Sequence, residues 1–498
     1  MSTFFVTNNL DSGIGSLRQA IEDANARDGA DTIEFSNVTG RIYLTRGLVI
    51  YTDLTIKGPG ANILSVSGNN SSRVFFVSTY WRMINVVIDG LTLTQGRGSD
   101  DDYDLWDGGG GIYNEYANLT LSNSTVSNNM ADRGGGIDNN GGTINITNST
   151  ISNNSPISGT GAGGGGVANK NGTISINNST ISGNTAGTGG GGVTNVDGTI
   201  SINNSTISGN TAGGGGGGVI NVDGTISINN STISGNTADL GGGISNLNFT
   251  NTTSIKNSIN NSTISGNTAV FGGGVANVSG TMRISNSTIS DNVATSEGGG
   301  INVFASSTIN LTNTIVANSV GGDFVNTGTL ATNVNNLIED GSQNPTLAGD
   351  PNLSPLQDNG GLTLTHALLA GSIAINTGST TNIPSELTTD QRGEGFARII
   401  NNTVDIGAYE FTPVVEPIPF DPAQYGASYG DLITGFGYNL DAFRYHYFNS
   451  GISEGRSPDA FDEFRYIASH NDLINAFGLN GSEATIHYIT NGYGEKRS

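Results

Sequence analysis

Alternation of Ile with small polar residues runs through the middle of the chain, as in GTISINNSTIS at 172–182, 198–208 and 224–234. A period of two is the mark of a strand with one buried face. Ile174/Ile176, Ile200/Ile202 and Ile226/Ile228 point one way. The Ile of each STI block, as in Ile181, Ile207 and Ile233, begins a second buried run, and the residue after a glycine cluster, as in Val193 and Val219, supplies a third. The Thr of the block falls at Thr125, Thr150, Thr180, Thr206, Thr232, Thr263, Thr288 and Thr314. The residue after the glycines falls at Ile112, Ile137, Val167, Val193, Val219, Ile244, Val275 and Ile301. Both markers step by about 26 residues, with insertions of about five in two turns. Three short strands per coil and no 3.6-residue period predict an all-β chain: a right-handed parallel β-helix solenoid, regular over about 108–320. Stacked at about 4.8 Å per coil, the eight glycine-marked coils rise about 34 Å.

Asn recurs in three rows. The one assigned as a structural ladder is Asn148, Asn178, Asn204, Asn230, Asn261, Asn286 and Asn313. A second runs Asn154, Asn184, Asn210, Asn236, Asn267, Asn292 and Asn318, and a third Asn139, Asn169, Asn195, Asn221, Asn246 and Asn277. Asn tolerates a left-handed corner, and stacked amides can bond coil to coil. The poly-Gly runs allow tight corners and close backbone stacking.

The flanks differ. Leu17, Ala20, Ile21 and Ala24 form an apolar stripe, so 16–26 reads as an amphipathic helix closing the open end of the first coil. The solenoid domain is 1–411. TPVVEPIPFDP brings a Pro-bearing linker, 412–419. Beyond it, 420–498 holds two copies of a 41-residue repeat, with Tyr425/Tyr466, His446/His487 and Glu454/Glu495 in register. That segment reads as a small α-helical domain, its paired His as repeat-core residues, and it is a candidate secretion or anchoring module.

Composition narrows the chemistry. The net charge is −23, from 19 basic and 42 acidic residues, which argues against a nucleic-acid partner. There is no Cys, which removes disulfides and thiolate chemistry. No stretch approaches the ~20 apolar residues of a membrane span. MSTFFVTNNLDSG has neither a basic n-region nor an apolar run of signal-peptide length, so export would use another route or a longer precursor. The acidic insert SDDDYDLWD places Asp100, Asp102 and Asp104 at alternating positions, a candidate calcium site. Leu105 stands where a calcium loop of the EF-hand type needs Gly, so a solvated acidic loop is the plainer reading. No other cofactor is expected. Asp138, Asp197 and Asp223, with Lys170, Lys256 and Arg283, read as scattered over separate coils rather than as a constellation.

The ISGN and GGGV blocks resemble the paired F-x-x-N and G-G-A-[ILV] repeats of polymorphic outer-membrane proteins, with Ile for Phe. FFVTNNLDSGIGSLRQAIEDANA (Phe4–Ala26) resembles the start of bacterial CSLREA-type β-helix proteins, without their Cys. DQRG and VDIGAYEF (Val404–Phe411) resemble the closing segment of proteins with a choice-of-anchor Q region. These resemblances cover about 3–411, imply an extracellular or cell-surface bacterial protein and assign no catalytic residues. The resulting expectation is a non-catalytic structural or adhesive protein, with polysaccharide or cell-surface matrix as its partner. The alternative is a carbohydrate-active enzyme of the pectate-lyase-like type, with its site near Asp100–Trp106. A groove gathering carboxylates and a base on one face would discriminate the two.

Overall fold

The computed structural model describes residues 1–78, 82–98, 108–157, 163–249, 257–412, 420–452 and 454–497. It divides into two compact units, Met1–Phe411 and Thr412–Ser498.

The first unit is a parallel β-solenoid. Its first face stacks the strands after the glycines, such as Ile137–Asn140, Val167–Lys170 and Val193–Val196. The second stacks Thr143–Thr147, Thr173–Asn177 and Thr199–Asn203, and the third Thr150–Ser152, Thr180–Ser182 and Thr206–Ser208. The third face is a 12-stranded ladder among the described residues, so the solenoid has about 12 turns. Ile sits opposite Ile along it: Ile151 pairs Ile181, which pairs Ile207. Every second side chain of the second and third faces points inward, and Ile144, Ile146, Ile151 and their successors form one continuous core. The expected three strands are joined by a short fourth ladder, Thr185–Ala186 on Thr211–Ala212. There the inward residues are Ala186, Ala212 and Ala238, small enough for a tight corner.

The row assigned as the ladder behaves differently from expectation. Asn148, Asn178, Asn204, Asn230, Asn261, Asn286 and Asn313 all have φ between 48° and 53°. They are left-handed corners, and amide bonds join only Asn261 to Asn230 and Asn313 to Asn286. The continuous amide ladders are the other two rows, extended by one coil each. Asn129, Asn154, Asn184, Asn210, Asn236, Asn267 and Asn292 pass Nδ2 to Oδ1 at 2.9–3.0 Å. Asn114, Asn139, Asn169, Asn195, Asn221, Asn246 and Asn277 do so at 2.7–3.1 Å. The first ladder stops at Asn292, not Asn318. One extra residue in the last regular coil pairs Thr288 with Ile315 rather than Thr314, and Asn318 becomes a left-handed corner with φ 54°.

Helix α1 (Leu17–Asn25) lies against strand Leu48–Ile50, with the Ser16 hydroxyl accepting from Gln19 N–H. Its Leu17, Ala20, Ile21 and Ala24 join the solenoid core. Arg18 donates to Gly47 O at 3.0 Å, and Asn25 donates to Val49 O while accepting from Tyr51 N. These side chains bond the backbone of residues 47–51 directly.

After Ile338 the chain turns back along the third face. Thr232 donates to Leu364 O, Thr263 to Gln391 Oε1, and Ala408 N to Thr288 Oγ1. Thr232, Thr263 and Thr288 are buried here, whereas Thr150, Thr180 and Thr206 at the same position are half-buried. The returning segment is locked by a buried charge cluster drawn from DQRG and VDIGAYEF. Arg392 pairs with Asp390 at 2.6 Å and lies between the rings of Phe396 and Tyr409, 3.9 and 3.7 Å from their centroids. Glu410 faces Arg398 at 3.5 Å, with Asp405 and Asp390 close by. Burial pushes the Glu410 carboxyl up to about 8, against the pull of Arg398. A carboxyl whose folded-state pKa is raised stabilises fully below its unfolded value and loses that contribution as the pH rises through the folded value. Hydrogen-exchange protection of residues 390–410, corrected for intrinsic rates, is therefore expected to fall between about pH 5 and about pH 8 and to level off above that. Glu410→Gln flattens that fall; an equal fall in the variant would refute the assignment.

The second unit is helical. Its first repeat holds α2 (Pro422–Ser428), α3 (Gly430–Phe436), α4 (Leu440–His446) and a π turn, Tyr447–Gly451. The second repeats this as α5 (Glu463–Ala468), α6 (Asn471–Phe477), α7 (Gly481–His487) and the π turn Tyr488–Gly492. Asp421 and Asp462, and Asn439 and Asn480, cap equivalent helices with their side chains. His446 Nδ1 bonds Tyr425 Oη at 2.9 Å and His487 Nδ1 bonds Tyr466 Oη at 2.8 Å. Among the described residues no helix is long and apolar enough to cross a membrane.

Candidate functional site

On the first face, the residues between the inward Ile or Val and the inward Asn project outward. In later coils these are Ala168, Thr194 and Ile220; in the earlier ones they are Phe76, Tyr113 and Asp138, one above the other. Two residues along each strand, Ser78, Glu115, Asn140 and Lys170 form a second outward column. The early coils thus gather charged and aromatic side chains that the coils of Val193 and Val219 lack.

The columns interlock. The rings of Phe76 and Tyr113 stack at 5.5 Å and 5°. The Arg73 guanidinium lies over both rings and donates to Gly108 O at 2.8 Å. Ser78 donates to Glu115 Oε2 at 2.7 Å, and Asn140 donates to the Tyr113 hydroxyl at 3.3 Å. Arg133 reaches around the glycine corner to Asp138, its Nε donating to Oδ2 at 2.8 Å. The other oxygen, Asp138 Oδ1, is buried with no hydrogen-bond partner. Burial pushes the Asp138 carboxyl up to about 6, against the pull of Arg133, Arg73 and Lys170. Asp138 is fully buried under Gly108, where a Cβ would fall 1.8 Å from Oδ2, while the Arg133 side chain is 26% exposed and Lys170 half-buried. Carboxylate and tyrosine are therefore fully buried, while the two cations are partly exposed, Nη2 of Arg133 being buried.

This corrects the reading of Asp138 and Lys170 as isolated. Asn140 pairs with Lys170 and Asp138 with Ala168, so the two charges occupy adjacent coils two positions apart. Arg73, Tyr113, Glu115 and Arg133 were missed. Their one sequence signal is the position shared by Tyr113 and Asp138, and the five-residue step from Arg133 to Asp138 across the glycines. Asp197 and Asp223 are left-handed corners with φ 52°, and Arg283 is exposed on the second face. Asp100, Asp102 and Asp104, with the rest of the acidic insert before Gly108, lie outside the described residues, as does Lys256. Among the described residues no group of three or more His, Asp or Glu is placed to hold a metal.

No protein-family model and no curated protein matches the chain, so the resemblances noted above rest on their own residues. Solved structures do match. The chain is similar to a pectate lyase at 16% identity, over 83% of this chain and 97% of that one, with a TM-score of 0.46. It is similar to the A-module of the Azotobacter vinelandii mannuronan C-5 epimerase at 14% identity, over 67% and 91%, with a TM-score of 0.38. A family-6 alginate lyase matches at 14% identity over 82% and 59%, with a TM-score of 0.36. Likenesses this distant assign no residue a role.

Proposed function

We propose that the protein binds and processes an anionic, uronate-bearing polysaccharide across the first face between Arg73 and Lys170. The observation that carries this is the convergence of rare cations. Between residues 108 and 320 the sequence holds only Arg133, Lys170, Lys256 and Arg283 as basic residues, in a chain of net charge −23. Two of the four, Arg133 and Lys170, act on the Asp138 carboxylate together with Arg73, and Arg133 touches it. A guanidinium and an ammonium at the surface of an acidic protein form a site for a carboxylate. Cleavage by elimination needs that carboxylate neutralised while a base takes the proton from the adjacent carbon, a carbon–carbon double bond forms, and the glycosidic C–O bond breaks with its oxygen leaving protonated. Arg133 and Lys170 are the neutralising groups, and Asp138 is the positioning residue that holds Arg133. This is the carbohydrate-active alternative, and it now stands ahead of the non-catalytic one.

A second reading, non-catalytic binding of glycan or matrix, has one observation in its favour. Asp138 and Glu115 are buried, so a polymer reaches the cations but not the carboxylates. Both readings go with an extracellular or cell-surface protein, which fractionation of the native host tests. Export of a chain ending at Pro413 tests whether 420–498 serves secretion.

The decisive assay offers the full chain polygalacturonate, alginate and a neutral glucan, following both retention and the appearance of unsaturated chain ends. Binding of the acidic polymers, weakened about tenfold or more by Arg133→Ala or Lys170→Ala, supports the site. Chain cleavage selects the enzymatic reading, and binding without cleavage the adhesive one. Equal retention of the neutral glucan would contradict both. Chelator added to the same assay tests calcium on Asp100, Asp102 and Asp104.

A further inference from the structure

The two helical repeats correspond residue for residue at a spacing of 41, but they do not meet symmetrically. Helix α2 of the first repeat packs against α7 and the π turn of the second. Ile489 of that π turn is 5% exposed and joins Ala423, Ala427 and Phe443 in one apolar cluster. Tyr493 lies over Gly430, where a Cβ would fall 2.5 Å from the Tyr493 hydroxyl oxygen. One surface, Ile489 with Tyr493, thus docks into another, Ala423 with Ala427 and Gly430.

Each surface has a twin that stays largely exposed, although the Phe448 ring also rests against Phe420 and Tyr447 at 5.3 Å. Forty-one residues before Ile489 and Tyr493 stand Phe448 and Ile452, 56% and 57% exposed. Forty-one residues after Ala423, Ala427 and Gly430 stand Phe464, Ala468 and Asn471, of which Phe464 is 51% exposed. Volumes compensate at one of the two position pairs. Asn471 is larger than Gly430, and its counterpart Ile452 is smaller than Tyr493. At the other, Phe448 and Phe464 are both larger than Ile489 and Ala423, a difference an aromatic pair between two chains would use. A contact between unlike surfaces does not saturate itself: the second repeat carries a free acceptor face, and the first a free donor face.

We infer that the helical module self-associates head to tail. The Phe448–Ile452 edge of one chain docks on the Phe464–Asn471 face of a second copy, continuing the contact that already joins the two repeats within each chain. The interface is heterologous, so it builds closed rings or open strings of solenoids rather than a symmetric dimer. A polymer-binding solenoid would gain avidity from such an array.

Analytical ultracentrifugation of the full chain over rising concentration tests this. The chain is expected to grow beyond the dimer. Phe448→Asp and Phe464→Asp are each expected to weaken association at least tenfold and leave a monomer with unchanged helical circular dichroism. An equimolar mixture of the two variants is expected to form a dimer and stop there, because each retains the face the other has lost. Ile452→Asp serves in place of Phe448→Asp if that variant loses helicity. A full chain that stays monomeric, a Phe448→Asp chain that associates like the original, or a mixture that remains monomeric would each overturn the inference.

Discussion

Asn210→Ala is expected to destabilise the solenoid by about 3 kcal/mol, while Asn204→Ala, six residues away, costs about 1 kcal/mol. Asn210 is fully buried. Its Oδ1 accepts from both the backbone and the side-chain amide of Asn184, and its Nδ2 donates to Ile181 O and Asn236 Oδ1. Truncation leaves several of these groups buried without a partner, and an unpaired buried donor or acceptor costs about 1–3 kcal/mol. Asn204 stands at a left-handed corner, φ 49°, and only backbone strain is at stake. Asn204→Gly removes even that. Urea denaturation of the three variants measures the difference. Equal costs at Asn204 and Asn210 would show that the buried amides are not what joins the coils.

Gly191→Ala is expected to cost about 3 kcal/mol or more, and Gly209→Asn nearly nothing. A Cβ on Gly191 would fall 2.5 Å from Gly217 O and 2.7 Å from Thr211 N, both backbone atoms of the next coil. Neither can move without parting the coils. Gly209 has φ +62° and open space around its missing Cβ. Asn153 fills the equivalent corner two coils earlier with φ 55°, so the position already accepts Asn. Thermal melts of both variants read the contrast. A tolerated Gly191→Ala would mean that the glycine corner is looser than its backbone contacts require.

The solenoid was legible because two markers, the glycine corner and the Asn-Ser-Thr block, keep one period. The assignment of the Asn rows was not. A left-handed corner and a buried amide both select Asn, so Asn148 and Asn154 look alike in sequence and differ only in which way the backbone turns. The register slip at Ile315 was hidden because Thr314 keeps the 26-residue step while the backbone takes 27. The site was legible least of all. Asp138 and Lys170 are 32 residues apart, which reads as distance along a chain but is one coil and two positions in a solenoid. Arg133 belongs to the site only because the three glycines at 134–136 fold its side chain back over Asp138.

A solenoid this regular has one residue type per position, and departures from the pattern stand out. In the two coils after Lys170 the outward first-face positions carry Thr194, Val196, Ile220 and Val222. Tyr113, Glu115, Asp138 and Lys170 depart from these uncharged residues, and they adjoin one another. A buried carboxylate with one oxygen on Arg133 and the other unpartnered is an expensive arrangement for a wall that needs only to stack. It holds a cation at the surface of an acidic protein.

The structure of the full chain with an oligouronide bound tests this most directly. A sugar carboxylate within hydrogen-bonding distance of Arg133 and Lys170 is the predicted result. An oligouronide seated on the second or third face, away from both cations, would contradict it.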